Sequence, residues 1–202
     1  QGYGLTETSP VVAYNIDEDT NRPGSVGKPI FHCNVRIQRD DGTFAPAGET
    51  GEVVVQGHNV MKGYYNKPKE SAAALRDGWM HTGDMGYLDK DGYLYITGLK
   101  KDLIIRAGMN IYPREIEDVL LRHPGIREAA VIGIPERVRG EEVCAVLVAA
   151  DKTPPDDKTL RAHCFDSMAQ FKCPRKFEFV DSLPYTDSGK IDKNVLRQQF
   201  SG

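Results

Sequence analysis

The sequence has little of several features that would identify a functional class at once. Its 202 residues include one tryptophan, five histidines and four cysteines, and no two cysteines form a C-x-x-C pair. This pattern excludes a recognisable zinc motif, and reduced thiols in a cytoplasmic protein fit it better than disulfides. No apolar run reaches membrane-spanning length and no signal peptide is recognisable, so we predict a protein without an integral membrane segment.

The chain also lacks an excess of charge of one sign. Its 26 basic and 29 acidic side chains give a net charge of −3. This balance argues against non-specific binding to nucleic acid or to an anionic membrane. The hydrophobic fraction of 40% and the charged fraction of 27% are ordinary for a globular protein. The length allows one large domain or two small ones with a buried core.

The first half of the chain has the pattern of short strands separated by turns. Residues 1–29 are rich in glycine, proline, threonine and asparagine, which predicts loops with short extended pieces. Beyond them, apolar residues alternate with polar ones, and Asp-Gly pairs at 41–42 and 91–92 predict hairpin turns. A short helix is predicted over residues 71–76. We therefore predict a small β-barrel-like subdomain, or a sheet, with one helix.

The second half mixes helices with strands. A hairpin is predicted around Gly108, and Pro113 begins a helix whose apolar residues have the spacing of a core-facing stripe. We predict an α+β domain with a three-stranded sheet and flanking helices. The polar, glycine-containing segment 98–101 marks the boundary, so the predicted domains are residues 1–99 and 100–202. The three predicted strands are residues 128–135, 142–150 and 177–180.

Three short segments carry residues suited to nucleotide chemistry. The first is G-Y-G-L-T-E-T at residues 2–8, where glycines allow close backbone approach and a carboxylate could hold Mg²⁺ beside phosphates. In the second, Asp84 follows Gly83 and is suited to accept from vicinal hydroxyls. In the third, Lys190 follows Gly189 on a turn and could stabilise negative charge in a transition state. Each segment alone also fits a purely structural turn, with a capping threonine, a capping aspartate or a solvated lysine.

Taken together, these segments resemble the adenylate-forming superfamily of acyl-CoA synthetases, luciferases and peptide-synthetase adenylation domains. The resemblance covers essentially the whole chain and is most specific over D-L-I-I-R-A-G-M-N-I-Y-P-R-E-I-E at residues 102–117. That wording is similar to the fatty-acyl and aryl CoA ligase branch. The motifs lie at residues 1–7, 81–84, 98–102, 108–117 and 184–190.

The resemblance implies roles for residues of the first domain. Tyr3 would stack on adenine, Thr6 would contact the α-phosphate, and Glu7 would hold Mg²⁺. Asp84 would bind the ribose hydroxyls of ATP or AMP, and Ile96 would flank the nucleotide. The implied nucleotide-binding residues are therefore Gly2, Tyr3, Gly4, Thr6, Asp84 and Ile96.

The resemblance also implies roles for residues at the boundary and in the second domain. Lys190, assisted by Thr6 and Glu7, would act in formation of the acyl-adenylate from ATP and a small carboxylic acid. Lys101 would be the hinge about which the second domain rotates. Gly108 and Arg106 would contact coenzyme A in the second half-reaction.

The chain departs from the family pattern at two positions. Leu99 stands where the family usually has an arginine that contacts ribose, and Lys100 is a possible substitute for that cation. Met109 replaces a residue that is often polar in related CoA ligases.

The family's phosphate loop and most of its acyl pocket would precede Gln1. We therefore expect a C-terminal part of a longer enzyme that is inactive without its N-terminal part. Two alternatives stay open: a stand-alone, non-catalytic binding or regulatory module, and an adenylation domain of a peptide synthetase.

Overall fold

The computed structural model describes residues 1–16 and 21–200, so residues 17–20 of the predicted N-terminal loop region lie outside the described residues. The chain divides into two compact units, Gln1–Lys101 and Asp102–Gly202. Helices and sheets occur together, so the predicted α+β class is confirmed. None of the helices in the described ranges is long and apolar enough to cross a membrane.

The first unit contains two antiparallel sheets. The smaller sheet has the order β1 (Gly2–Gly4), β2 (Val11–Tyr14) and β3 (Lys28–Pro29). In the larger sheet the long strand β7 pairs with β5, β6 and β8, while β4 pairs with β5. The strands of the larger sheet are β4 (Cys33–Gln38), β5 (Gly51–Gly57), β6 (Leu75–Arg76), β7 (Trp79–Leu88) and β8 (Leu94–Leu99).

The predicted β-barrel-like form of the first unit is not confirmed, because no strand pairing in its described residues closes the larger sheet on itself. The smaller sheet covers an apolar face of the larger sheet instead. Val12 and Ala13 of β2 are buried in one cluster with Val35, Val53 and Leu94 of the larger sheet. Sheet-on-sheet packing therefore buries these side chains without barrel closure.

The helix of the first unit ends earlier than predicted. Helix α1 spans Pro68–Ala74, and the next two residues form strand β6. The pair Asp77-Gly78 has positive φ at both residues, which is the requirement of a two-residue hairpin turn between β6 and β7. This turn draws residues 75–76 into the sheet rather than the helix.

The second unit has one five-stranded sheet between helices. The strands are β9 (Ile104–Arg106), β10 (Met109–Ile111), β11 (Ile126–Glu136), β12 (Gly140–Ala149) and β13 (Lys176–Phe179). Their order is β10-β9-β12-β11, with β13 parallel to β12. The prediction of three strands was too low, because the hairpin β9–β10 joins the sheet where Gly140 pairs with Arg106.

Both faces of this sheet are covered, which explains the continuous burial of β12 from Val143 to Val148. Helices α2 (Pro113–Leu120) and α3 (Asp157–Ser167) pack on one face through Ile116, Leu120 and Leu160. Helix α4 (Lys193–Phe200) packs on the other face through Leu196. Strand β12 therefore lacks the apolar–polar alternation of a sheet that has one solvent-exposed face.

Candidate functional site

Two of the predicted nucleotide-binding residues are in direct contact in the first unit. The hydroxyl of Tyr3, on β1, donates a hydrogen bond of 2.5 Å to Oδ2 of Asp84, on β7. Asp84 is 8% exposed. Burial, followed by the negative charge of Asp84, raises the pKa of Tyr3 far above its ordinary value. The phenol therefore stays protonated and acts as a hydrogen-bond donor to a buried carboxylate.

The glycine-rich segment has structural reasons for part of its sequence. A Cβ atom at Gly4 would lie 1.9 Å from the carbonyl oxygen of Pro10, so only glycine fits where β1 passes this loop. Thr8 accepts a hydrogen bond from the backbone N–H of Leu5 at 3.0 Å and donates to Pro10 O at 2.7 Å. Thr8 is thus a buried capping threonine, whereas Thr6 is exposed.

Glu7, the predicted metal-binding residue, is half-buried beside a tyrosine that the sequence did not indicate. The hydroxyl of Tyr64 donates to Oε1 of Glu7 at 2.9 Å, and this bond raises the pKa of Tyr64. The backbone of the same loop is attached by Met61 N–H donating to Glu7 O. Within residues 1–16 and 21–200, no group of three or more metal-binding side chains occurs. A single carboxylate still fits Mg²⁺, which commonly takes one or two carboxylates plus substrate phosphates.

The substitute cation considered for Leu99 is already engaged in an ion-pair cluster. Lys100 Nζ lies 3.0 Å from Oε2 of the buried Glu52 and 3.1 Å from Oδ1 of Asp40. Nδ1 of His81 lies 3.4 Å from the same Glu52 oxygen. Burial opposes ionisation of Glu52, but Lys100 and then His81 hold its pKa below the ordinary value. Lys100 therefore stabilises the first unit instead of replacing an arginine at position 99.

Leu99 itself lies in a position that faces the candidate site. In the antiparallel pairing of β7 with β8, Leu99 is directly opposite Asp84. Side chains of directly opposed residues lie on the same face of a sheet. Ile96, also on β8, is half-buried against the core cluster that Tyr3 contacts. Lys101 is exposed and is the last residue of the first unit.

In the second unit, Lys190 lies at the end of an exposed turn. Thr186 N–H donates to Lys190 O at 2.8 Å, and Gly189 N–H donates to Thr186 O at 2.9 Å. Gly189 has a φ of 77°, which favours glycine there. In the described part of the chain, no hydrogen bond or ion pair involves the Lys190 ammonium. The turn therefore fixes the backbone while the long side chain remains available to a ligand.

Arg106 and Gly108, the predicted contacts of coenzyme A, lie at and beside a basic cavity of about 400 Å³. Gly108 follows Ala107 in the β9–β10 turn, both with positive φ, and a Cβ at Gly108 would meet open space. Met109 lines the cavity as an apolar wall. The basic residues of the lining are Arg106, Arg139, Arg161 and Arg175.

Glu142 pairs with three of these four arginines, while Arg161 lies 3.8 Å from Asp157. The oxygens of Glu142 lie 3.1 Å from Arg106 Nε, 3.3 Å from Arg139 and 3.6 Å from Arg175 Nε. Arg106 is 6% exposed and also donates to the carbonyl of Phe171 at 2.9 Å. Burial lowers the pKa of Arg106, and the charge of Glu142 opposes that change. One carboxylate thus balances part of the charge of several arginines, and the cavity keeps an excess of positive charge.

Comparison with known proteins gives matches over both units. The family described as AMP-binding enzyme matches residues 1–65, and the AMP-binding enzyme C-terminal domain matches residues 115–190. A long-chain-fatty-acid–CoA ligase from Bacillus subtilis (strain 168) is 45% identical over 200 residues, which are 98% of this chain and 36% of that protein.

Solved structures agree with this assignment. The ATP-bound structure of MatB from Rhodopseudomonas palustris is 38% identical with a TM-score of 0.90, over 99% of this chain and 40% of that one. The o-succinylbenzoate CoA synthetase from Bacillus subtilis, in complex with its acyl-adenylate intermediate, is 40% identical with a TM-score of 0.89, over 100% and 40%. The chain thus spans about two-fifths of the length of these relatives, and it belongs to the adenylate-forming superfamily of AMP-binding enzymes.

Proposed function

We propose that the chain is the C-terminal part of an AMP-forming acid–thiol ligase. In the first half-reaction a carboxylate attacks the α-phosphate of ATP, giving an acyl-adenylate and pyrophosphate. In the second, the thiol of coenzyme A attacks the acyl carbon and AMP leaves. The observation that carries the proposal is the contact between Tyr3 and Asp84, two motif residues far apart in sequence, in a chain related to CoA ligases.

The first unit would bind the nucleotide. The ring of Tyr3 would stack on adenine, and the carboxylate of Asp84 would accept from the ribose hydroxyls. Thr6, whose side chain is exposed, would donate to the α-phosphate. Mg²⁺ would be held by Glu7 together with the phosphates and would neutralise their charge. The residues that complete this proposed site are Gly2, Gly4 and Ile96.

The second unit would supply the mobile cation. Attack of the carboxylate builds negative charge on the α-phosphate, and the unpaired ammonium of Lys190 is suited to stabilise it. Removing such a fixed cation typically costs on the order of 10²–10³ in rate, by analogy with oxyanion-hole donors. We propose that rotation about Lys101 brings Lys190 to the nucleotide for adenylation and removes it before thioester formation.

The arginine cavity is the proposed site for the nucleotide end of coenzyme A. Coenzyme A carries a 3′-phosphate and a diphosphate, and arginine binds phosphate oxygens in a bidentate manner. Arg139 is part-exposed at the cavity, whereas the buried Arg106 is largely committed to Glu142 and Phe171. We therefore assign direct phosphate contacts to Arg139 and Arg161 and a positioning role to Arg106. The open space at Gly108 would admit the pantetheine arm.

The function is tested by pyrophosphate exchange with the full-length enzyme against a panel of fatty and aromatic acids. We expect exchange with at least one acid and none with the 202-residue chain alone. Binding of ATP without exchange for every acid, by an enzyme that has a complete N-terminal part, would instead favour a non-catalytic module. A cytoplasmic location stays a prediction.

A further inference from the structure

Strand β7 is irregular at the point where it carries Asp84. The register of its antiparallel pairing with β5 shifts between Glu52 and Val54. At this shift β5 contributes one residue, Val53, whereas β7 contributes the three residues 82–84. We call this segment the 82–84 bulge. Bulges are common next to active sites, where they change the direction of a side chain.

Side chains take the place of the strand partners that the bulge lacks. The hydroxyl of Thr82 donates to Val53 O at 2.7 Å and accepts from the backbone N–H of Asp84 at 3.1 Å. Oε1 of Glu52 accepts from the backbone N–H of Gly83 at 3.2 Å. Two side chains, one on each strand, therefore fix the backbone that leads into Asp84.

Both oxygens of Glu52 are in use. The residue is 6% exposed, so its carboxylate is shielded from water. While Oε1 accepts from Gly83, Oε2 lies 3.0 Å from Nζ of Lys100 and 3.4 Å from Nδ1 of His81. A glutamine at this position would have one acceptor oxygen instead of two, so it could not serve both sets of donors.

We propose that Thr82 and Glu52 are positioning residues of the ribose site, which act through the 82–84 bulge on the carboxylate of Asp84. The inference rests on the proposed function, in which Asp84 accepts hydrogen bonds from the ribose hydroxyls. The hydroxyl of Tyr3 holds the Asp84 side chain from the smaller sheet, while the bulge contacts hold its backbone from the larger one. An acceptor that is fixed before binding loses less conformational freedom when the ligand binds.

Thr82→Val tests this role directly. Valine keeps the size and the β-branch of threonine but has no hydroxyl, so Val53 O and the N–H of Asp84 would both lose a partner. Thr82→Ser keeps the hydroxyl and is the rescue variant. Thr43→Val is the matched control, because it makes the same change in the same unit at an exposed threonine outside the bulge.

The measurement is the affinity of the full-length enzyme for ATP and for 2′,3′-dideoxy-ATP, which lacks both ribose hydroxyls, by calorimetry. The unchanged enzyme should prefer ATP by at least about tenfold, the effect of a hydrogen bond to a charged acceptor. In Thr82→Val this preference should fall about five- to tenfold, while the affinity for the dideoxy nucleotide stays within about twofold. Thr82→Ser and Thr43→Val should keep the preference for ATP.

Glu52→Gln is the second variant, and it decides the question where Thr82→Val does not fold. Because glutamine leaves one of the donors without an acceptor, the preference for ATP should fall about two- to fivefold. A preference that survives in every folded variant, or an equal weakening of both nucleotides, would overturn the positioning role. An unchanged enzyme that binds both nucleotides equally would instead refute the ribose contact of Asp84 in the proposed function, and this inference with it.

Discussion

Glu142 provides a quantitative test of how the arginine cavity is held together. Glu142→Gln keeps the shape of the side chain but removes the charge that faces three arginines within 3.6 Å. Glu142 and Arg106 are 7% and 6% exposed, so the variant leaves a buried guanidinium without its counter-charge. Removing one partner of a buried ion pair typically costs about 3–5 kcal/mol.

That cost is a large part of the stability of a domain, which is about 5–15 kcal/mol. With a urea dependence of about 2 kcal/mol/M, the unfolding midpoint of the second unit should fall by about 2 M. The assay is urea unfolding of the 202-residue protein by circular dichroism. Asp157→Asn is the control, because Asp157 is exposed and its pair with Arg161 is 3.8 Å long. An exposed pair of this kind contributes about 0–1 kcal/mol.

The double variant Glu142→Gln/Arg106→Gln separates the buried charge from other effects. Because it removes both partners, it should recover part of the stability lost in the single variant. A loss below about 1 kcal/mol in Glu142→Gln would refute the argument, since it would mean that solvent reaches Arg106 in the folded state.

Three further variants test the first unit. Tyr3→Phe should lower the stability of the first unit by about 1.5–3 kcal/mol, because the charged acceptor Asp84 loses a donor. ATP binding, measured by calorimetry, should be retained because the ring remains. Loss of binding without loss of stability would contradict this expectation. Leu99→Arg should tighten AMP binding about tenfold, because it adds a hydrogen-bond donor opposite Asp84. Leu99→Met is the control. Equal affinity of the two variants for AMP would contradict this prediction. The pKa of Glu52 is lowered in the folded state. Its pair with Lys100 therefore stabilises the protein fully above the ordinary carboxyl pKa of about 4.3. This stabilisation is lost as the pH falls through the lowered pKa. Glu52→Gln should therefore weaken the pH dependence of the unfolding midpoint between about pH 5 and pH 3. If the midpoint of the variant depends on pH as strongly as that of the unchanged protein, this pair is not the source of the dependence.

The sequence could predict the α+β class and the family because both depend on local patterns and on motifs read in order. It could not predict the number of strands in the sheet of the second unit, because the pairing of Gly140 with Arg106 joins segments whose local patterns are independent. The β-barrel-like form is not confirmed for a related reason: β4 alternates as a barrel strand does, but the covering sheet comes from the glycine-rich start of the chain.

Contacts between distant side chains were the other limit. The motifs indicate nucleotide contacts for Tyr3 and for Asp84, but no spacing indicates that one donates to the other. Lys100 neighbours Leu99 and is therefore a possible substitute cation by sequence, and only its distance to Glu52 shows that it is engaged. Of the four arginines of the cavity, the sequence indicates only Arg106, because the others come from separate segments that share no periodicity: the β11–β12 turn, α3 and the segment before β13.

The proposed role of Lys190 lies in adenylation and not in thioester formation. The measurement is to compare both half-reactions in the full-length enzyme and in its Lys190→Ala variant: pyrophosphate exchange for the first, and CoA thioester formation from supplied acyl-adenylate for the second. We expect exchange to fall by at least about 10²-fold while thioester formation stays near the rate of the unchanged enzyme. An equal loss of both half-reactions, or exchange that survives in the variant, would contradict it.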